Sequence, residues 1–190
     1  MIQSKEDLKE YLYWDKCALG RKGQARPRFG RDEIWRYEIL LRKAEYYTNC
    51  RKGAVSKILY AYYKLRFHRM SVKLGFSIPV NVFDKGLSIA HYGSIVVNSN
   101  ARIGTNCRIQ ENVTIGSTGG STEAPTIGNY VFLASGARII GNIEIADGIA
   151  VGANAVVTHS FLEPNVTIAG IPAKKISSKS SKAFMVKYED

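Results

Sequence analysis

The sequence is short of the residue types that announce several common functions. Among 190 residues there are three histidines, His68, His91 and His159, and three cysteines, Cys17, Cys50 and Cys107. Cysteines that are odd in number and widely spaced fit neither a disulfide framework nor the paired spacing of a zinc site. The reading is a reducing cytoplasm, no bound metal, and Cys107 as a small core residue. Long apolar runs are also missing: no window of about 18 uninterrupted apolar residues exists, so no membrane span is expected. The opening MIQSKEDLKEYLYWDK has acidic residues early and no apolar h-region, unlike a signal peptide.

Acidic residues are scarce too. Sixteen Asp and Glu face twenty-seven Lys and Arg, a net charge of +11. Such a charge suits nucleic acid, an anionic membrane surface, or a polyanionic small molecule such as a nucleotide cofactor. No nucleic-acid motif is present, so no nucleic-acid partner is expected. With 45% hydrophobic and 23% charged residues, the chain has an ordinary globular composition and length enough for a core.

The chain divides by character into residues 1–74, 75–176 and a polar tail, 177–190. The first part holds most of the bulky aromatics and long basic side chains. RDEIWRYEILLRKAEYYTNC places Ile34, Tyr37, Leu40, Leu41 and Ala44 at helical spacing. In GAVSKILYAYYKLRFHRMSVKLG the apolar stripe is Val55, Ile58, Leu59, Tyr62, Leu65 and Met70, with Gly53 and Gly75 at the ends. A short helix is expected near Lys5 to Trp14, and GRKGQARPRFG reads as a loop. The basic helical faces read as solvated; a second reading docks them on a membrane surface.

Residues 75–176 change period. Counting by six gives Val97, Ile103, Ile109, Ile115, Ser121, Ile127, Leu133, Ile139, Ile145, Val151 and Val157, of which ten of eleven are β-branched or Leu. A second column runs Ala101, Cys107, Val113, Gly119, Pro125, Val131, Ala137, Ile143, Ile149 and Ala155. A six-residue period is the signature of a parallel β-helix. Three hexads close a triangular coil of about 18 residues, and coils stack at roughly 4.8 Å. The first column fills the prism, and the Gly and Asn residues between suit its corners. The hexad that fails lies in GSTGGSTEAPT (Gly116 to Thr126), read as a loop thrown out from the prism. The repeat ends at EPNVTIAGIPAKKI, where Pro164 and Pro172 interrupt strand pairing.

His91 reads two ways. Alternation of Leu87, Ile89 and His91, and the six-residue count back from Val97, both put it in the core. The same column gives Lys85 one step earlier, so the register breaks before Val97 and places His91 at the rim. His68 reads as an exposed helix residue. His159 has no matched role beyond a place beside a cofactor cleft.

The segments HYGSIVVN, ARIG, VTIGSTGG and PTIGNYVFLASGARIIGNIEIADGIAVGANAVVTHSFLEPNVTIAGIPAKKI, in that order, resemble the serine acetyltransferase-like branch of the hexapeptide-repeat acyltransferases. The resemblance covers about Pro79 to Ile176. It implies a mainly β fold, a left-handed parallel β-helix with an N-terminal α-helical segment. It implies an acetyl-CoA-dependent O-acetyltransferase that assembles as a homotrimer, with trimers that can pair. Its general base would be His91, in the place of the family's catalytic histidine. A neutral imidazole within hydrogen-bond reach takes the proton of a hydroxyl as that hydroxyl attacks a thioester carbonyl. The resemblance runs the pantetheine arm of CoA along the coils from about Ala134 to Gly152 and brings its phosphates to Lys174 and Lys175.

The chain also departs from serine acetyltransferases. Ala90 stands where they have an aspartate, GFSIPV replaces their DIHP segment, and TEAPTI replaces DRHPKI. The charged groups that would select a small zwitterion look missing. The acceptor expected is therefore a sugar hydroxyl of a surface polysaccharide or its precursor, met by Tyr92 and Asn112, with Asn81, Asn98 and Tyr130 near. The alternatives are serine itself, or a non-catalytic β-helix scaffold. A hydratase using three convergent histidines is nearly excluded, because only His91 and His159 fall in the prism half. The base would be oriented by Asp84, Glu111 or a main-chain carbonyl.

Overall fold

The structure is a computed structural model that describes residues 1–187; the last three residues of the 177–190 tail lie outside it. Helices α1 (Lys5–Ala18), α2 (Glu33–Asn49) and α3 (Gly53–Leu74) come first. The Ser4 hydroxyl accepts the Asp7 N–H at 2.9 Å and starts α1. α3 stops at Gly75, whose φ of 79° puts it in the left-handed region open to glycine. No described helix is long and apolar enough to cross a membrane.

Short strands then wind around a three-sided prism. One face stacks β1 (Phe76–Ser77), β3 (Ile95–Val97), β6 (Thr114–Gly116), β9 (Arg138–Ile140) and β12 (Val156–Val157). The second stacks β4 (Arg102–Ile103), β7 (Thr126–Ile127) and β10 (Glu144–Ile145). The third stacks β2 (Ser88–Ile89), β5 (Arg108–Ile109), β8 (Phe132–Leu133), β11 (Ala150–Val151), β13 (Thr167–Gly170) and β14 (Ala173–Ser177). Neighbours run parallel except β13 and β14, which form an antiparallel hairpin.

Register explains the sequence period. Val97 pairs with Ile115 and Ile127 with Ile145, each eighteen residues on, or three hexads. Ile103 pairs with Ile127, twenty-four residues on. The coil between them carries six extra residues as the exposed loop, so the count by six passes through it undisturbed. Ser121 falls on the column by number only; it lies in that loop. The other ten members of the column are at most 4% exposed, and each such burial of a Val, Ile or Leu contributes about 1.5–3 kcal/mol.

A prism of stacked coils has an open first coil whose N–H and C=O groups lack a neighbour above, and each must find a partner. The helices supply them with buried charge. Asp15 Oδ1 accepts the N–H groups of Gly86 and Leu87 at 2.8 and 2.9 Å. Glu38 Oε1 accepts that of Ile89 at 3.0 Å, and Glu45 Oε1 that of Asn81 at 2.8 Å. Arg42 ties them together. It donates to Asp15 Oδ2 at 2.7 Å, to Glu45 Oε2 at 3.0 Å, and to the carbonyls of Phe83 and Asp84 at 2.8 and 2.7 Å. All four of these charged residues are at most 2% exposed.

α3 differs from the sequence reading. Its buried side carries Phe67, Met70 and Leu74 against Tyr37 and the core, and Tyr63 stacks on Tyr47 at 5.2 Å. Val55, Ile58, Tyr62 and Leu65 of the expected stripe point outward. After β14 the tail folds back over the third face. The Ser181 N–H donates to the Gly148 carbonyl at 2.9 Å, and the Phe184 ring stacks on Phe132 at 4.8 Å.

Candidate active site

His91 lies at the corner that follows β2. Five residues separate the inward-facing Ile89 and Ile95, whereas three separate Ile109 and Val113 in the coil below. Two extra residues cannot be held in the corner, so His91 and Tyr92 are pushed out and both are exposed. Alternation with Leu87 and Ile89 therefore fails at this point, and the rim reading is the one the structure supports. Gly93 completes the corner at φ 133°, and a Cβ there would stand 3.0 Å from Glu111 Cβ.

Glu111 is the carboxylate beside His91. Its carboxyl is held below the ordinary value first by the Ser135 hydroxyl and then by its own backbone N–H, and the charge of His91 adds to this. Oε2 of Glu111 is buried with no hydrogen-bond partner among the described residues. Asp84, the other carboxylate considered, is turned away. Its oxygen caps the Lys85 N–H at 2.8 Å, and its side chain faces Tyr11.

A cavity of about 300 Å³ opens at His91, lined also by Tyr92, Ala90, Trp35, Arg21, Arg31, Asp32 and Arg108. The charged members correct the sequence reading, which found no groups suited to a zwitterion. They come from the α1–α2 connection and from β5, not from the segments around the histidine. The Asp32 side chain is fully buried. Its Oδ2 accepts the Arg28 N–H at 2.8 Å and Arg28 Nε at 3.2 Å. These bonds, the N–H first, hold its carboxyl below the ordinary value. Arg21 Nη2 forms an ion pair with the buried Oδ1 at 3.1 Å, and no described donor hydrogen-bonds to that oxygen. Arg108 donates to Ser88 Oγ at 2.9 Å and is half-buried. A larger groove of about 500 Å³ shares Arg108 and Val186 with this cavity. It holds no histidine.

The residues expected to meet CoA fall on one ladder. Ala90 N–H bonds to Ile109, Gln110 to Leu133, Ala134 to Val151 and Gly152 to Ile168, and Ala169 is paired with Lys174. Four steps from Ala90 to Ala169 span about 19 Å at strand spacing. Two details differ from expectation. The Ala134 side chain packs with Phe132, Ala150 and Met185 of the tail, so an arm along this edge would meet the corner at Ser135 and Ala153. Lys175 is ion-paired with Glu163 at 2.6 Å and Lys174 is exposed beside it. Asn112 is a left-handed corner residue, φ 60°, whose carbonyl accepts from Arg138; it does not line the cavity. His159 stands at another corner against Phe161, with ring centroids 4.6 Å apart. Among the described residues no group of three His, Cys, Asp or Glu converges to hold a metal.

No family model matches the chain. Curated proteins do. The chain is 34% identical over 109 residues to the serine acetyltransferase of Buchnera aphidicola from Acyrthosiphon pisum, 56% of this chain and 39% of that protein. It is 35% identical over 105 residues to that of Escherichia coli, 54% of this chain and 38% of that protein. The matched stretch thus spans about two fifths of these relatives. Among solved structures, serine acetyltransferase from Brucella abortus superposes with a TM-score of 0.73 at 24% identity, covering 93% of this chain and 72% of that one. Soybean serine acetyltransferase complexed with serine gives 0.71 at 26%, covering 90% and 70%. The fold is that of the serine acetyltransferases. The prism is accordingly a left-handed parallel β-helix, the handedness that the resemblance implied and that general crossover rules do not supply. The helices superpose as well, although only the β-helix carried recognisable motifs.

Proposed function

We propose that this chain is an acetyl-CoA-dependent O-acetyltransferase and that its acceptor is serine or a close amino-acid alcohol. One observation carries the reading: a rim histidine shares a 300 Å³ cavity with a buried carboxylate, Asp32, and the guanidinium of Arg108. A free amino acid offers an ammonium and a carboxylate, and it is selected by charge-assisted partners. Asp32 answers the ammonium by exchanging its ion pair with Arg21, while Arg108 and Arg31 receive the carboxylate. The sugar acceptor expected from the sequence rested on the absence of such groups. Their presence, with the likeness to serine acetyltransferases, supports the serine alternative better.

His91 takes the hydroxyl proton as the oxygen attacks the thioester carbonyl. The tetrahedral intermediate collapses to the ester, and the CoA thiolate leaves and recovers the proton from the imidazolium. Glu111 orients the ring and stabilises its charged form. No covalent enzyme intermediate is needed. The ladder from Ala90 to Lys174 suits an extended arm: Gly152 has no room for a side chain, since a Cβ would lie 2.8 Å from that of Ala169. A homotrimer with clefts between prisms completes the proposal.

The test is thiol release from acetyl-CoA with L-serine and with a panel of sugars. Turnover with serine, lost in His91→Ala while CoA still raises the melting temperature, is the expected result. Turnover with sugars alone would overturn the acceptor. No thermal stabilisation by CoA would favour a scaffold instead.

A further inference from the structure

α3 has a second apolar face that the fold does not use. Val55, Ile58, Tyr62, Leu65 and Val72 are 71, 69, 48, 49 and 70% exposed. Their spacing of three, four, three and seven residues keeps them on one side of the helix. At about 100° per residue, Lys57 and Lys64 fall along one border of this stripe, Arg66 and Lys73 along the other, and Arg69 within it. The helix, GAVSKILYAYYKLRFHRMSVKL, contains no acidic residue. At the boundary Lys64 Nζ donates to the Tyr60 hydroxyl at 3.2 Å and Arg66 Nη1 to that of Tyr62 at 2.8 Å. Tyr62 thus has an apolar body in the stripe and a polar tip beside a cation, the arrangement favoured at a membrane–water boundary.

We propose that α3 is an interfacial helix that seats the protein on an anionic lipid surface. Charge complementarity selects this occupant. A second copy of α3 would bring its bordering cations against identical ones, with no acid on either helix to answer them; Glu33 of α2 pairs with Lys73 alone among them, at 3.9 Å. A nucleic-acid backbone would take the cations but leave five exposed apolar side chains unused. An anionic bilayer takes both: the stripe enters the headgroup boundary and the lysines and arginines meet lipid phosphates. The buried side of α3 stays on α2, so the helix needs no rearrangement to dock.

The test is co-sedimentation of the full chain with vesicles, and it requires no acetyl transfer, so it is independent of the proposed activity. The expected result is binding to phosphatidylglycerol-containing vesicles, little binding to pure phosphatidylcholine, and release at high salt. Ile58→Ser with Leu65→Ser, both exposed and outside the His91 cavity, is expected to weaken binding at least tenfold with the circular dichroism spectrum unchanged. Lys57→Gln with Lys64→Gln loses about fivefold per lysine, roughly twenty-five-fold together. Equal binding to both vesicle types, or binding that the stripe variant leaves intact, overturns the proposal. So does an absence of vesicle binding with a smaller oligomer in the stripe variant by light scattering, which would make the stripe a subunit contact.

Discussion

Arg42→Met removes the guanidinium that joins the helices to the first coil while keeping an unbranched side chain of similar length. Arg42 is fully buried and answers four acceptors: Asp15, Glu45, and the carbonyls of Phe83 and Asp84. Losing one partner of a buried ion pair costs about 3–5 kcal/mol, because the remaining charges are left in a poorly polarisable interior. For a chain of this size that is a large fraction of total stability. The melting temperature should fall by about 2–4 °C per kcal/mol, hence by roughly 6–20 °C. The deficit also carries a pH signature. Burial already raises the carboxyls of Asp15 and Glu45 against the lowering influence of Arg42. Without Arg42 they are raised further. A carboxyl whose native pKa exceeds its unfolded value contributes stability that is present at low pH and lost as pH rises through the native pKa. The variant should therefore be closer to wild type at about pH 5 than at about pH 8. Urea unfolding followed by the fluorescence of Trp14 and Trp35 measures both effects. A loss below about 1 kcal/mol, equal at the two pH values, would refute the idea that this network seals the prism.

Glu38 is pushed well above its ordinary value, first by burial and then by the nearby Asp15 charge. By the same sign rule it contributes stability at low pH that is lost as pH rises through its native pKa. Glu38→Gln keeps an oxygen for the Ile89 N–H; at neutral pH it should unfold within about 1 kcal/mol of wild type, and above that pH it should be relatively more stable. Gly93→Ala forces a side chain onto Glu111 at a left-handed φ; it should cost about 1–3 kcal/mol in denaturant and lower kcat by displacing the His91 corner. Asp32→Asn should raise the KM for L-serine at least tenfold, the loss expected when one charge-assisted bond goes, and leave CoA-induced thermal stabilisation unchanged. Equal KM values in that variant and the wild type would remove Asp32 from acceptor recognition.

The amino-acid sequence by itself determined the prism. A parallel coil closes every three hexads, so each inward side chain recurs at a fixed count, and even the loop at Gly116 to Thr126 leaves the count unbroken because its excess is one hexad. The proposed base, His91, was singled out by its motif, although the residues alone left it between core and rim. Tertiary structure decided that question through two additional corner residues, which no periodic count resolves. It also decided which side of α3 is buried. Apolar residues lie on both sides of that helix, and only docking against α2 separates Phe67 and Met70 from Ile58 and Leu65. Above all it assembled the cavity. Asp32 and Arg21 lie some sixty to seventy residues before His91, in a connection that reads as an ordinary basic loop. They reach the histidine because the helices must cap the open first coil, and that requirement is a property of the folded edge rather than of any local motif.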